Sequence, residues 1–314
     1  MRQGRAMKKL LYVSLLLLIG GLAVLYCFPA VQWAGLQLLE QQRAGLSSRQ
    51  LRVADLNIHY YQGGLPKGET LVLLHGFAAD KDNWLRFSRH LTDRYQVIAL
   101  DLPGFGASER PTGSYDVGTQ AERLAGILDA LQLERIHLLG HSMGGHIAAL
   151  YAARYPERLN SLVLLANAGV DTPVRSEFFQ ILENGGSNPL IVRQPEDFAR
   201  LLSFIFTEVP RIPERLRYYL GERAASQAEH HEQVFSHLVT RHIPLEPLLP
   251  RIQAPTLLLW GDHDRVLDIS SLQVMQPLLG KVSVAVMPGI GHAPMLESAE
   301  ECARIYRNFL QSLE

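Results

Sequence analysis

The sequence predicts an α/β chain: an open, mostly parallel central sheet flanked by helices, with an inserted helical lid and an N-terminal transmembrane helix. Three observations carry this. Short continuous apolar runs (Thr70–Leu74, Gln96–Leu100, Ile136–Leu139, Ser161–Leu165, Thr256–Trp260) alternate with helix-like stretches. Such runs suit strands buried on both faces of a parallel sheet. Between Asp171 and about Pro250 the strand rhythm stops and helix-like, proline-rich sequence replaces it. Ahead of everything lies Leu10–Phe28, nineteen residues without a charge.

At about 1.5 Å per residue that apolar run nearly spans a hydrocarbon layer of ~30 Å. Arg2, Arg5, Lys8 and Lys9 precede it, and Tyr12 and Tyr26 sit near its ends, where aromatic side chains favour the interface. Tyr26-Cys27-Phe28-Pro29 is bulky where a signal peptidase needs small residues, and Tyr26 also argues against lipidation of Cys27. The run reads as an uncleaved anchor. Its basic flank keeps the N-terminus cytoplasmic and places the remainder across the membrane, in the periplasm of a bacterial cell. Residues 1–29 thus form the basic tip and anchor. Residues 30–47 form a juxtamembrane helix in which Val31, Trp33, Leu36, Leu38 and Leu39 interleave with glutamines and Glu40; it either lies with Trp33 at the headgroup level or packs on the globular domain.

The sheet domain occupies 48–170 and 251–314, with 171–250 as the lid. Of the 314 residues, 47% are hydrophobic, enough for one large core. A net charge of −1 gives no argument for a nucleic-acid partner. Cys27 and Cys302 are the only cysteines, so no disulfide framework is expected. After Leu51–Ala54 and Ile58–Tyr61 come the apolar strands named above and Val282–Val286. Helices are expected over Trp84–Leu91, Val117–Leu131, Gly145–Arg154, Pro195–Phe206, Ile212 to about Val239, and about Ser298–Leu313. Phe178, Phe179, Phe204, Ile205 and Phe206 either line an acyl pocket or form the lid's own small core.

Gly140-His141-Ser142-Met143-Gly144 joins an apolar strand to a helix. A serine at such a turn is forced into a strained backbone conformation that lifts its hydroxyl out of the sheet. Gly140 and Gly144 fit because a Cβ at either position would strike neighbouring backbone. A nucleophile needs a base, a carboxylate and an oxyanion donor. Gly291-His292 lies on a glycine-bounded loop after the last strand, and His292 is the expected base. Gly261-x-x-Asp264 follows the strand ending at Trp260. Asp264 is preferred to Asp262, read as a solvated turn residue, and to Asp268. His75-Gly76-Phe77 ends a strand so that the Phe77 N–H, with the Met143 N–H, faces a substrate oxygen. His75 reads as structural, and His141 as pointing away from the chemistry. His230, His231, His237 and His242 lack metal-ligand spacing and read as a solvated helix face.

Together with Asp101-x-Pro-Gly-x-Gly106, these stretches resemble the α/β-hydrolase family, over nearly everything after residue 50. The order Ser142, Asp264, His292 is that family's order. Lys81-Asp-Asn-Trp84, Trp260-Gly-Asp-His-Asp-Arg-Val-Leu-Asp268 and the anchor are similar, more narrowly, to its membrane-anchored lipases. The resemblance implies hydrolysis of glycerolipid carboxylic esters (phospholipase A, lysophospholipase or monoacylglycerol lipase type). It implies membrane lipids as substrates, a fatty-acid product, no metal and no organic cofactor. The sequence is compatible with a homodimer but does not specify one. The alternative is a small-metabolite hydrolase, acting on carbon–carbon bonds or thioesters with the same triad. Haloalkane dehalogenases and epoxide hydrolases share much of the pattern but carry an aspartate where Ser142 stands. A degenerate, purely interacting member would not need all three triad residues.

Overall fold

The computed structural model describes residues 7, 11–14, 20–21 and 27–313. The expected membrane span, Leu10–Phe28, lies for the most part outside the described residues. Among the described residues no helix is long and apolar enough to cross a membrane.

Eight strands form one sheet: β1 (Leu46–Val53), β2 (Leu56–Gly64), β3 (Thr70–Leu74), β4 (Gln96–Leu100), β5 (Ile136–His141), β6 (Leu159–Leu165), β7 (Thr256–Gly261) and β8 (Val282–Met287). Their spatial order is β1-β2-β4-β3-β5-β6-β7-β8. β1 and β2 form an antiparallel hairpin, β2 pairs antiparallel with β4, and every other pairing is parallel. The five apolar runs named at the outset are β3 to β7, five of the six strands with a neighbour on both sides; β2 is the sixth. Leu71, Val72, Leu73 and Leu74 of β3 are all fully buried, as a strand covered by helices on both faces requires. The hairpin is longer than its apolar residues indicated. β1 starts at Leu46, ahead of residue 48, because ladder bonds to β2 extend it through polar Ser47–Gln50.

Helices cover both faces. α1 (Pro29–Arg43) has proline at its first turn and arginine at its last, matching the free N–H groups and the negative end of a helix. The stretch expected to be helical over Trp84–Leu91 is a 3₁₀ turn, Lys81–Trp84, followed by the single turn α2 (Leu85–Ser88). α3 (Val117–Ala130) and α4 (Met143–Arg154) pack on the sheet. The lid contributes α5 (Glu177–Glu183), α6 (Asp197–Ile205), α7 (Glu214–Ala225) and α8 (Ala228–Thr240). The single helix expected over Ile212–Val239 is therefore two, separated at Ser226-Gln227. α9 (Ser271–Met275), α10 (Pro294–Glu297) and α11 (Ala299–Gln311) complete the chain, and α1 packs against α7 of the lid.

The turn after β4 shows how tightly the loops above the sheet are built. Asp101 is fully buried. Its carboxylate accepts bonds from the Lys81 N–H (2.8 Å), Lys81 Nζ (2.6 Å) and the Ala107 N–H (2.9 Å). Burial works against the Lys81 ammonium, but the charge and hydrogen bond of Asp101 outweigh it, so its pKa lies above the ordinary lysine value. Gly106 has φ +56°, and a Cβ there would stand 2.2 Å from the Asp101 carboxyl carbon. Gly106→Ala is expected to destabilise the fold by about 3 kcal/mol, from left-handed strain plus displacement of a buried ion pair. The urea denaturation midpoint measures it.

Candidate active site

Ser142 sits between β5 and α4 with φ 54° and ψ −118°, a conformation outside the ordinary wells of an L-residue. Its surroundings hold it there. The Ser142 N–H donates to Leu165 O, and its carbonyl accepts from the His146 and Ala168 N–H groups. A Cβ at Gly140 would lie 2.2 Å from the Gly144 carbonyl oxygen, and one at Gly144 would lie 2.4 Å from the His75 carbonyl oxygen. Both glycines are thus required by backbone packed against backbone.

His292 and Asp264 meet as a buried pair. His292 Nδ1 is 2.8 Å from Asp264 Oδ2. The other oxygen, Oδ1, accepts from the Val266 and Leu267 N–H groups at 2.8 and 2.9 Å. Both oxygens are therefore committed, which orients the carboxylate toward the imidazole. Asp262 is exposed and instead joins two loops, accepting from the Gly289 N–H while paired with His263 Nδ1. Asp268 accepts from the Ser270 N–H. Of the three carboxylates after β7, only Asp264 contacts His292.

The loop that carries His292 is fastened to the lid, which the sequence did not reveal. The His292 N–H donates to Ile205 O at the end of α6. Glu297 accepts from the Gly291 N–H with one oxygen and from the Thr207 and Glu208 N–H groups with the other. Only the short distance from His292 to Glu297 along the chain could have hinted at this role.

The turn after β3 lies against the nucleophile. A Cβ on Gly76 would be 3.1 Å from Ser142 Cβ. Among the described residues, neither the Phe77 nor the Met143 N–H has a protein acceptor. Met143 is the first residue of α4, where N–H groups have no partner within the helix and the positive end of the helix lies. His75 is structural: Nε2 accepts from the Leu102 N–H and Nδ1 donates to Gly76 O. Burial keeps its pKa below the ordinary histidine value despite the nearby Asp101 charge. Farther along the same loop, Tyr61 Oη and Gln37 Nε2 of α1 both donate to Asp82.

Two expectations about histidines need correction. His141 does not point away: its Nε2 lies 2.8 Å from the His292 carbonyl oxygen, and the two rings are 4.7 Å apart. Three of the four lid histidines are not a solvated face, because α8 turns His230, His231 and His237 inward onto the loops above the sheet. His230 donates to Gly104 O. His237 accepts from the Tyr115 N–H and stacks on the Tyr115 ring. His231 packs against Phe77 and Phe105, and burial holds its pKa down to about 4. Only His242 of the four is exposed. None of Phe178, Phe179, Phe204, Ile205 and Phe206 is exposed either. Phe178 meets Phe235 of α8, which in turn meets Phe77, so the lid's aromatic core continues down to the turn beside Ser142.

A strained serine between strand and helix, a buried histidine–carboxylate pair and free N–H groups beside the serine define a nucleophilic hydrolase site. A family profile described as the alpha/beta hydrolase fold matches residues 69–299. The chain is 31% identical over 281 residues to Lipase 1 of Psychrobacter immobilis, covering 88% of this chain and 87% of that one. It is 33% identical over 271 residues to monoacylglycerol lipase abhd6-B of Xenopus laevis, covering 81% and 79%. The crystal structure of a membrane phospholipase A, a bacterial virulence factor, superposes with a TM-score of 0.90 at 55% identity, covering 98% of this chain and 99% of that one. The chain belongs to the α/β-hydrolase family. Within it, the chain is a serine ester hydrolase.

Proposed function

We propose that this enzyme hydrolyses glycerolipid carboxylic esters at a membrane, with Ser142 as nucleophile, His292 as base and Asp264 as the carboxylate that orients it. The observation that carries the reading is the geometry of His292: its Nδ1 is engaged by Asp264, which leaves Nε2 as the basic nitrogen, and its ring lies 4.7 Å from that of His141, the residue before Ser142. His292 takes the Ser142 proton as the hydroxyl attacks the ester carbonyl. The Phe77 and Met143 N–H groups stabilise the tetrahedral oxyanion. The protonated base then gives its proton to the departing alcohol, and water cleaves the acyl-enzyme by the same route in reverse.

Lipid substrates are supported by the similarity to two lipases and a phospholipase A. The lid, 171–250, is the part that would select among them, since its aromatic core reaches Phe77. Anchoring through Leu10–Phe28, with a cytoplasmic N-terminus and a periplasmic domain in a bacterial cell, is supported by the uncharged run and its basic flank. The outward Val31, Leu36, Leu38 and Leu39 of α1 agree with a helix lying close to lipid.

Purified full-length protein tests this. A fluorophosphonate should label Ser142. A panel of monoacylglycerol, lysophospholipid, diacyl phospholipid and triacylglycerol should contain the best substrates, ahead of a vinylogous diketone and a soluble thioester. Preference for the diketone or thioester would overturn the lipid assignment. Labelling of a different residue would overturn the site.

A further inference from the structure

His141 has no part in the chemistry proposed above, yet it stands where three of the four loops that carry that chemistry meet. It is buried and precedes the nucleophile. Its Nε2 lies 2.8 Å from the carbonyl oxygen of His292. Its other nitrogen, Nδ1, has no hydrogen-bond partner among the described residues. A Cβ on Gly76 would lie 3.0 Å from that nitrogen, so the ring also abuts the turn that carries Phe77.

The tautomer follows from these contacts. A carbonyl oxygen only accepts, so Nε2 carries the proton and donates. Nδ1 is then a bare lone pair facing a glycine. Protonating it would place a charge in a buried space without an acceptor. Burial first, and the neighbouring His292 second, hold the pKa well below the ordinary histidine value. The ring therefore stays neutral while its neighbour becomes imidazolium during turnover, and adds no repulsion at 4.7 Å.

His292 is otherwise held at its N–H by Ile205 of the lid and at Nδ1 by Asp264. The carbonyl is the remaining fixed point, and it is the one tied to the residue next to Ser142.

We propose that His141 is the positioning residue of the catalytic base: its Nε2–H grips the His292 carbonyl and so fixes the height of the imidazole above Ser142. This rests on the reading of Ser142 and His292 as nucleophile and base. Because the brace runs from the nucleophile's neighbour to the base's own backbone, it registers the two loops against each other directly. A residue that merely filled the space would do the same packing with no donor.

Two substitutions separate these roles. His141→Met keeps the volume and removes the donor, and His141→Gln places an amide N–H near the position of Nε2. With full-length enzyme and p-nitrophenyl butyrate, the Met variant is expected to lose about 100-fold in kcat, the scale of a displacement of about 1 Å at a reacting centre. KM should change by no more than about twofold, since the donor touches no substrate. The Gln variant should regain at least about tenfold of that loss at an equal melting temperature. Fluorophosphonate labelling of Ser142 should slow in the same proportion as kcat. A Met variant with kcat close to that of the unsubstituted enzyme, or a Gln variant no better than Met, would overturn the proposal. Should the Met variant fail to fold, His141→Gln and His141→Asn carry the comparison. Asn is polar but stops short of the carbonyl, so equal kcat in the two overturns the brace and a higher kcat for Gln supports it. Failure of the underlying site is distinguishable: Ser142 in the unsubstituted enzyme would then not be the labelled residue.

Discussion

Ser142→Ala is expected to abolish ester hydrolysis, by at least about 10⁴-fold in kcat, while the protein stays folded. The physical basis is that Ser142 serves the fold through its backbone and the chemistry through its side chain. Its N–H and carbonyl hold the elbow to Leu165, His146 and Ala168, and alanine preserves those bonds. The positive φ costs alanine about as much as it costs serine, since both carry a Cβ. The melting temperature should therefore barely move while the acyl acceptor is gone. Hydrolysis of a short p-nitrophenyl ester, with thermal unfolding of the same sample, checks both halves. Activity near that of the unsubstituted enzyme would remove Ser142 from the mechanism.

Asp264→Asn should lower kcat by about 10⁴-fold near neutral pH with little change in KM. The size of the effect follows from the orientation the surrounding backbone imposes. Oδ1 of residue 264 faces the Val266 and Leu267 N–H groups, which demand an acceptor. An asparagine must put its carbonyl oxygen there, because turning the amide over would leave two N–H groups facing an NH₂. The NH₂ group is thereby pointed at His292 Nδ1. That nitrogen must then accept, so the ring's proton moves to Nε2, and a protonated Nε2 cannot take the serine proton. Steady-state kinetics on the folded variant test this. An Asn variant with near-normal kcat would show that the carboxylate neither sets the tautomer nor supports the imidazolium.

Much of the site was legible because each of its parts is a local backbone requirement. Gly140 and Gly144 announce a turn that no Cβ can enter, and the apolar runs beside them announce strand and helix. Ser142 and Asp264 follow buried strands and His292 follows the half-exposed edge strand β8, each by a few residues, and strand ends of a parallel sheet share one edge. Strands β3 to β7 were equally plain, since burial on both faces leaves continuous apolar sequence. The hairpin's true length was less so, because exposed Ser47–Gln50 is strand only by virtue of its pairing with β2. The break between α7 and α8 was hidden for a similar reason. Ser226 and Gln227 carry no strong helix-stop signal, and the chain turns there to bring α8 over the loops above the sheet.

By itself the sequence named the candidates: which side chains could serve as nucleophile, carboxylate and base, which loops hold them and in what order. Only the tertiary structure decided what holds those side chains in register. His141 grips a carbonyl 151 positions away. Glu297 ties the His292 loop to the lid at Thr207 and Glu208, across 90 and 89 positions. Histidines of α8 that looked solvated close over Phe77 and Phe105. Strand runs and glycine turns obey short-range sterics and so leave a mark in consecutive residues. A side chain bonded to a distant main-chain atom leaves none, because any residue can supply the carbonyl or N–H it needs. The elbow could be read from a handful of letters, but the braces around it required the folded chain.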